Sequence, residues 1–434
     1  GLTMARKMKD SGIEWIGEIP EGWEIVKIKY GVTKVGSGKT PSGGAEVYTD
    51  CGVLFLRSQN IYDCSLVLDN PTYISYETDL TMKSTRILPN DILLNITGAS
   101  IGRCCVVPET LGPANVNQHV CIIRTNPEFF LPKFMQYFWV SHLGRYTISL
   151  FQTGGNREGL SFDAIRNTPI PYISIPEQSK IITCLDSECS RIDVMLSKTR
   201  SSIEEYKKLK QAVITQAVTK GVRGEREMKD SGVEWIGEIP VDWTIQRFAC
   251  VAEVKSNLVS PANYLEYPQI SPENIEKDSG KLLLPCKTVG EVGIISGNHL
   301  FYKGQILYSK IRPKLNKVCI APFDGLCSAD MYPIESKNDT RYIMYCILSN
   351  GFLRQVSMIT ENRVKMPKIN QSELSKLLVA IPNFLAEQKE IADYLDAKCA
   401  EIDGLIAKKE QLIKELESYK KSLIYEVVTG KREV

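Results

Sequence analysis

Two internal repeats constrain the fold of this chain more than any other feature. The segment MKDSGIEWIGEIP at Met8–Pro20 returns as MKDSGVEWIGEIP at Met228–Pro240, with 12 of 13 positions identical at an offset of 220 residues. A second repeat, at an offset of 210, relates Glu177–Thr219 to Glu387–Thr429 with 15 identities in 43 positions. Chance does not produce such matches, so the 434 residues are predicted to hold one duplicated unit rather than three unrelated domains.

The segments between the repeats, about 21–176 and 241–386, show no similarity to each other. Both contain short β-type runs bounded by Gly, Pro and Asn, and both contain an aromatic segment with helical character, so each is predicted to be a mixed α/β (α+β) domain. The domain boundaries predicted from the sequence are a first domain at 1–176 with a flexible tail or tag remnant at 1–7, a central repeated helix at 177–220, a second domain at 221–386, and a C-terminal repeated helix at 387–434.

The repeated segments at the end of each half have apolar residues in steps of three and four, which is typical of a helix with one apolar stripe. A helix of 43 residues would be about 65 Å long, and so long a stripe needs a partner helix. We expect the two helices to form an antiparallel coiled coil with each other, although packing of each helix on its neighbouring domain is the alternative. The predicted interface residues are Ile181, Leu185, Ile192, Ile203, Leu209, Val213, Ile391, Leu395, Ile402, Ile413, Leu416 and Leu423.

Motifs that would indicate catalysis are weak or missing. The run GSGKT at Gly36–Thr40 ends like a phosphate-binding loop, but Thr33 stands where the first Gly is required and Pro41 would break the helix that must follow. A nuclease-like outline, Glu335-Ser336-Lys337 with Asp324 or Asp330, has nothing else to support it. With three His residues and no methyltransferase, hydrolase or zinc motif, we expect no catalytic residues, no metal site and no cofactor in this chain.

The composition is that of an ordinary globular protein, with 43% hydrophobic and 24% charged residues. No stretch has the roughly 20 apolar residues of a membrane span, and the start is not that of a secretion signal. The 13 Cys residues include no C-x-x-C pair, which favours reduced thiols. These features predict a cytoplasmic protein without membrane contact.

The net charge of +2 hides a difference between the halves: residues 241–380 hold 17 basic and 13 acidic side chains, whereas 21–175 hold 13 of each. Basic side chains contact phosphates, and Arg, Asn and Gln pair with base edges, so both domains are candidate DNA binders. Solvated surface is the alternative reading for each residue. The candidates are Arg57, Gln59, Asn60, Thr97, Ser100, Asn117, Gln118, Asn156 and Arg157 in the first domain, and Ser309, Lys310, Arg312, Lys314, Asn316, Lys317, Arg363, Lys365 and Lys368 in the second.

This layout resembles the specificity subunit of type I restriction–modification systems. The resemblance rests on two GEIPxxW openings, two unrelated α/β segments, two repeated helices that begin E-Q-x-x-I and end near V-T, and the junctions at Leu160–Gln178 and Ile369–Gln388. It covers nearly the whole chain.

The resemblance implies that each domain is a target recognition domain for one half of a bipartite, asymmetric site in double-stranded DNA. The helices would set the unread spacer and dock two modification (methyltransferase) subunits that carry S-adenosylmethionine and methylate adenine. Two restriction (motor-nuclease) subunits that use ATP and Mg would complete a complex for host defence, and the specificity subunit itself would have no catalytic activity. The resemblance does not indicate which residues contact the bases.

Two other classes of protein stay open. One is a self-sufficient restriction enzyme, which needs motifs and length absent here. The other is a protein-bridging scaffold without base readout, which does not need the basic cluster Lys310–Lys317.

Overall fold

The computed structural model describes residues 6–152, 159–361, 363 and 367–434. The chain forms two compact units, one made of Gly1–Lys198 with Gln411–Val434 and the other of Thr199–Glu410. Each unit therefore contains one α/β domain and a part of both long helices.

Among its described residues, the first unit has fifteen short strands and four short helices before the first long helix. The strands are β1 Met8–Asp10, β2 Glu18–Pro20, β3 Glu24–Lys27, β4 Val32–Ser37, β5 Tyr48–Thr49, β6 Val53–Leu56, β7 Ile61–Tyr62, β8 Ser65–Leu66, β9 Tyr73–Ile74, β10 Arg86–Ile87, β11 Ile92–Asn95, β12 Cys104–Val106, β13 Ala114–Val116, β14 Val120–Thr125 and β15 Pro169–Tyr172. The helices are α1 Tyr76–Thr81, α2 Pro132–Val140, α3 His142–Phe151, α4 Phe162–Asn167 and the long α5 Ile175–Lys220.

The second unit follows with a similar order of elements. Its strands are β16 Met228–Asp230, β17 Glu238–Pro240, β18 Trp243–Arg247, β19 Ala252–Val254, β20 Leu258–Val259, β21 Gln269–Ile270, β22 Asn298–Phe301, β23 Ile306–Ser309, β24 Val318–Ile320, β25 Gly325–Cys327, β26 Met331–Ser336 and β27 Leu378–Pro382. Its short helices are α6 Phe248–Val251, α7 Val289–Val292, α8 Thr340–Leu348, α9 Asn350–Thr360 and α10 Gln371–Leu374, and the long α11 Leu385–Val428 follows them and continues into the first unit.

Each domain is built on a four-stranded antiparallel sheet that is buried on both faces. In the first unit the strand order is β12-β11-β14-β4. Successive side chains of a strand point to opposite faces, so Ile92 and Leu94 join the core beneath the helices, whereas Leu93 joins a second core against the five-stranded sheet β10-β13-β6-β9-β5. The predicted mixed α/β class is confirmed, and the aromatic residues of α2, with Phe134, Phe138 and Trp139 buried, belong to the core as expected.

The two domains share this topology although their sequences show no similarity. The second domain has the order β24-β23-β26-β19, which repeats β12-β11-β14-β4 strand for strand. In both domains a short strand also pairs in parallel with the strand that follows the hairpin of the main sheet: β6 pairs with β13, which lies between β12 and β14 in sequence, and β21 pairs with β25, which lies between β24 and β26. The duplication therefore extends through the segments that the sequence presented as unrelated.

The identical residues of the repeats hold each domain to its long helix. Trp23 and Trp243 are fully buried, and Trp23 Nε1 donates to Glu177 Oε1 at 2.9 Å. Gln178 accepts from Leu131 N and donates to two carbonyls, those of Phe129 and Ile173. Its repeat partner Gln388 accepts from Asp339 N and donates to Asn338 Oδ1 and to the carbonyl of Pro382. Buried amides with every bond satisfied fix the start of each helix against its domain.

A second pair of contacts ties the aromatic helices to the long ones. Tyr137 of α2 donates to Asp186 at 2.7 Å, and Tyr345 of α8 donates to Asp396 at the same distance. Burial raises the pKa of both phenols, so they stay protonated and serve as donors.

The residues before β1 were predicted to form a flexible tail, and this stays a prediction. Residues 1–5 lie outside the described part of the chain. Arg6, however, forms an ion pair with Glu177 at 2.5 Å and lies over the ring of Trp23, and the carbonyl of Lys7 accepts from Glu21 N. Arg226 occupies the corresponding place beside Glu387 in the second unit.

The long helices pair in an antiparallel way inside each unit. In the first unit the stripe from Ile181 to Leu196 shares one core with Leu423–Val428, and in the second Ile214–Val218 shares a core with Ile391, Leu395 and Cys399. The coiled coil and the packing on a domain, which were predicted as alternatives, are both present. The apolar stripe of each long helix contacts the other long helix and also its own domain. Helix α11 ends at Val428, so the last six residues of the predicted C-terminal helix are not helical. The predicted residues that are fully buried are Ile181, Leu185, Ile192, Ile203, Ile391, Leu395, Ile402 and Leu423, while Val213, Ile413 and Leu416 are partly buried.

The prediction for Leu209 is wrong. Its side chain is 47% exposed, whereas the neighbouring Lys210 is 6% exposed. Lys210 Nζ binds both carboxylate oxygens of Asp403 at 2.9 Å, and Lys281 binds the same carboxylate at 2.7 Å. The apolar spacing predicted that Leu209 lies in the helix interface, but the ion pair between Lys210 and Asp403 lies there instead.

This ion pair is part of the duplication. Lys420 and Asp193, which are related to Lys210 and Asp403 by the offset of 210, form the corresponding bond in the first unit at 2.6 Å. Burial disfavours the charge on Asp403, but hydrogen bonds from Lys281 and Lys210 outweigh it and hold the pKa of Asp403 below its usual value. A carboxylate with a lowered pKa stabilises the fold above its usual pKa of about 4, and this stabilisation is lost as the pH falls below that range.

We expect Lys210→Met to lower the free energy of unfolding by about 1–2 kcal/mol, because it leaves Asp403 buried with Lys281 as its remaining partner. Chemical denaturation of the full chain measures this. Lys420→Met should lower the free energy of unfolding by a smaller amount, because Lys420 and Asp193 are more exposed than Lys210 and Asp403. Lys207→Met, on the exposed face of the same helix, is the matched control. If Lys210→Met lowers the free energy of unfolding no more than Lys207→Met does, the ion pair between Lys210 and Asp403 does not stabilise the fold.

Candidate nucleic-acid interface

In the first unit, several strand ends bring polar residues to one edge of the two sheets. Strands β6 and β13 are parallel, so the segments that follow them leave at the same edge. Asn117 N donates to Leu56 O at 3.0 Å, and the end of β4 joins them because Lys39 N donates to Val116 O at 3.1 Å. We name this the first polar edge; its residues are Lys39, Thr40, Arg57–Asn60, Thr97–Ser100 and Asn117–His119.

Hydrogen bonds connect the side chains across the first polar edge. Thr97 Oγ1 is 2.6 Å from His119 Nδ1, and Gln118 Nε2 is 3.2 Å from His119 Nε2. Thr40 Oγ1 donates to Gln118 Oε1. The Arg57 guanidinium lies over the ring of Tyr48 and donates to Thr72 at 2.8 Å.

The second unit forms the corresponding edge. Ser328 N donates to Ile270 O at 2.9 Å, and Lys310 N donates to Asp330 O at 2.9 Å. The loop from Lys310 to Lys317 joins β23 to β24, and Ile311 pairs with Lys368. We name this the second polar edge; its residues are Ser271–Asn274, Lys310–Lys317, Ser328–Asp330, Pro367, Lys368 and Ile369.

Corresponding backbone hydrogen bonds are found in both edges. The bonds Asn117 N to Leu56 O, Ile96 N to His119 O and Leu160 N to Ile96 O in the first unit recur as Ser328 N to Ile270 O, Lys310 N to Asp330 O and Ile369 N to Lys310 O in the second. Both edges also contain a short turn closed by an Asn side chain, Asn60 in one and Asn274 in the other. One backbone frame thus carries two different sets of side chains.

Most of the predicted DNA-binding residues lie on these edges, but they differ in exposure. Asn156, Arg157 and Lys365 lie outside the described residues. Gln59, Gln118, Arg312, Lys314 and Lys368 are exposed, Arg57, Thr97, Ser100, Lys310, Lys317 and Arg363 are half-buried, and Asn60, Asn117, Ser309 and Asn316 are buried.

The buried candidates hold the backbone of the edges. Asn60 donates to Val67 O, and Asn316 donates to Leu348 O at 3.1 Å. Asn117 accepts from His119 N, and Ser309 donates to Ile311 O. Their role in DNA contact stays a prediction, but their described bonds are structural.

In the second domain, two of the half-buried basic candidates bind oxygen atoms within the protein. Arg363 forms an ion pair with Glu373, and Lys317 Nζ donates to Pro272 O at 2.7 Å. Lys310 lies over the ring of Tyr332. The exposed cations of the second polar edge are therefore Arg312, Lys314 and Lys368.

The loop that carries these cations has an unusual backbone. Arg312 and Asn316, on either side of the turn Pro313–Leu315, both have the left-handed conformation, with φ of 45° and 43°. Asn adopts this conformation more readily than Arg, for which it is costly. Strained residues persist where the surroundings hold them and cluster at binding sites. Here Arg312 N donates to Pro367 O at 2.8 Å.

Several residues of the edges were not among the predicted candidates, and they include Lys39, Thr40, His119 and Asp330. Lys39 and Thr40 belong to the run rejected as a phosphate-binding loop, and Asp330 to the rejected nuclease outline. The available signal was their position at the ends of β-type runs. His299 also lies beside the second polar edge, opposite Cys327; burial and then the charge of Lys310 lower its pKa and keep it neutral.

In the described part of the chain, no group of three or more His, Cys, Asp or Glu side chains could hold a metal ion. No described helix is both long and apolar enough to span a membrane.

Comparison with known proteins decides the family. The family described as "Type I restriction modification DNA specificity domain" matches residues 20–205 and 240–417. The chain belongs to this family. Both matches contain one polar edge and part of one long helix, so the family repeat coincides with the structural duplication.

Curated relatives are named as specificity subunits of type I restriction enzymes. The EcoDI specificity subunit of Escherichia coli is 36% identical over 270 residues, which are 58% of this chain and 60% of that protein. The putative MjaX specificity subunit of Methanocaldococcus jannaschii is 24% identical over 435 residues, which cover 96% of this chain and 95% of the relative.

Solved structures support the fold. A chain from work on complex assembly and conformational transition of the type I R-M system aligns with a TM-score of 0.71 at 15% identity, covering 94% of this chain and 98% of that one. The HsdS subunit of Thermoanaerobacter tengcongensis aligns with a TM-score of 0.52, also at 15% identity, over 95% of this chain and 98% of that one.

The second polar edge gives a test that separates structural from contact residues. We expect Asn316→Ala to lower the free energy of unfolding by about 2 kcal/mol, because it leaves Leu348 O without its donor and puts Ala in the left-handed region. Lys314→Ala, two residues away and exposed, should leave it unchanged. Thermal or chemical denaturation distinguishes the two. Equal effects would show that the loop does not depend on Asn316.

Proposed function

We propose that this chain is the DNA sequence-specificity subunit of a type I restriction–modification complex, in which each unit recognises one half of a bipartite, asymmetric site in double-stranded DNA. The observation that carries the proposal is the equivalence of the two polar edges. One frame presents mainly uncharged polar side chains in the first unit and a group of exposed cations in the second, as two readers of different half-sites require.

The partners in this proposal are two methyltransferase subunits, which carry S-adenosylmethionine, and two motor-nuclease subunits, which use ATP and Mg. The chain itself has no catalytic role in this account, and the complex works in the cytoplasm. The names of the relatives, which describe specificity subunits of type I restriction enzymes, support this assignment.

In this proposal the long helices set the length of the unread spacer and dock the methyltransferase subunits. Helices of 46 and 44 residues with no break support this role. Many of their exposed side chains are charged and lie outside the cores of the units, as the polar face of a docking helix would.

The DNA contact is tested by removing the exposed cations Arg312 and Lys314. We expect R312A/K314A to weaken DNA binding and to reduce the slope of log K against log salt by up to about 1.8, since each lost phosphate contact accounts for about 0.9. Fluorescence anisotropy over a range of salt concentrations measures both quantities.

The matched control is K303A/K337A, which also removes two exposed cations. Lys303 precedes β23 and Lys337 follows β26, so both lie at the opposite end of the sheet from the second polar edge. An equal effect of the two double variants would mean that binding reflects total charge rather than this edge, and would favour the scaffold alternative.

The spacer role is tested by inserting one heptad after Lys198 and one after Lys408, which are equivalent positions of the two helices. Seven helical residues add about 10.5 Å, or about three base pairs of DNA at 3.4 Å each. Selection of bound sequences from random DNA, with the variant in complex with its methyltransferase partners, should give the same half-sites with a spacer longer by about three. An unchanged spacer would exclude the role.

A further inference from the structure

We propose that one turn reads bases in both units: Asn117–His119 in the first and Ser328–Asp330 in the second. This inference rests on the proposed function and names the side chains that carry it, Gln118 in the first unit and Asp330 in the second. The chemistry points to an adenine for Gln118 and a cytosine for Asp330.

The two turns have the same construction. The side chain of the first residue accepts from the third: His119 N donates to Asn117 Oδ1 at 3.1 Å, and Asp330 N donates to Ser328 Oγ at 3.2 Å. The next residue closes both turns, with Val120 N on Asn117 O and Met331 N on Ser328 O. A parallel strand pair holds the start of each turn, and the four-stranded sheet holds its end.

In the first turn the amide of Gln118 is oriented by its neighbours. Gln118 Nε2 donates to His119 Nε2, so the His119 proton lies on Nδ1 and is donated to Thr97 Oγ1. Thr40 Oγ1 donates to Gln118 Oε1 from the other side. Among the described residues, one N–H and one lone pair of the exposed amide have no partner. Adenine presents the matching acceptor N7 and donor N6 in the major groove.

In the second turn Asp330 is an acid on a basic edge. Its backbone bonds to Lys310 N and Ser328 Oγ, but within the described chain no cation or donor binds its half-buried carboxylate. A carboxylate repels the phosphates that Arg312 and Lys314 attract, so it does not add affinity. Its suitable partner in DNA is a base donor, and cytosine N4 is the base donor that Asp accepts from in the major groove.

The test is to map methylated adenines in cells that express the full chain with its methyltransferase partners, for wild type, Gln118→Ala, Thr40→Val and Asp330→Asn. We expect Gln118→Ala to make one position of one half-site degenerate, with about tenfold less discrimination. Thr40→Val should do so in part, and Thr40→Ser should restore it. Asp330→Asn should relax one position of the other half-site while purified protein binds non-specific DNA more tightly.

The matched controls are Thr33→Val and Glu335→Gln, which lie at the opposite ends of β4 and β26 from the turns; both should leave the motif unchanged. Half-sites that stay fully specified in Gln118→Ala and Asp330→Asn overturn the inference. So does a uniform loss of methylation without a change in base preference, which would indicate a role in folding. If the wild type yields no gapped motif at all, it is the proposed function that fails.

Discussion

The structure depends on the antiparallel pairing of the two long helices within each unit. Neither helix could persist alone in water, because an isolated amphipathic helix gains too little from its own hydrogen bonds to offset its conformational entropy. Helix α5 buries Ile181–Leu196 in the first core and Ile214–Val218 in the second, and α11 does the same in reverse order. Each domain therefore folds onto residues that come from both halves of the chain.

The duplication combines one conserved frame with two different sheet edges. The residues retained in both copies are those that anchor a domain to its helix, such as Trp23 and Trp243, Gln178 and Gln388, and Asp186 and Asp396. The sheet edge, in contrast, constrains its sequence only through the positions at which the strands end. Its side chains are free to differ, and a neutral first domain can thus accompany a basic second one.

Periodicity and repeats were sufficient to predict the helices, their antiparallel pairing, the α/β class and some of the edge residues, because these depend on local pattern. Leu209 was wrongly predicted to lie in the helix interface. The spacing of apolar residues does not show that the neighbouring Lys210 is buried instead, because its ion partner Asp403 is 193 residues away in the sequence. The shared topology of the two domains was also not predictable: backbone hydrogen bonds such as Lys310 N to Asp330 O leave no signature in side-chain identity. His119 and Asp330 were missed for the same reason, as their importance comes from the turn that holds them.

The central claim, that two different readers on one frame address two halves of one DNA site, is tested most directly by mapping every methylated adenine in cells that express this chain with its methyltransferase subunits. The account predicts a single motif made of two unlike specified halves separated by a gap of unspecified bases. A continuous motif, a motif with identical halves, or methylation without sequence preference would contradict it.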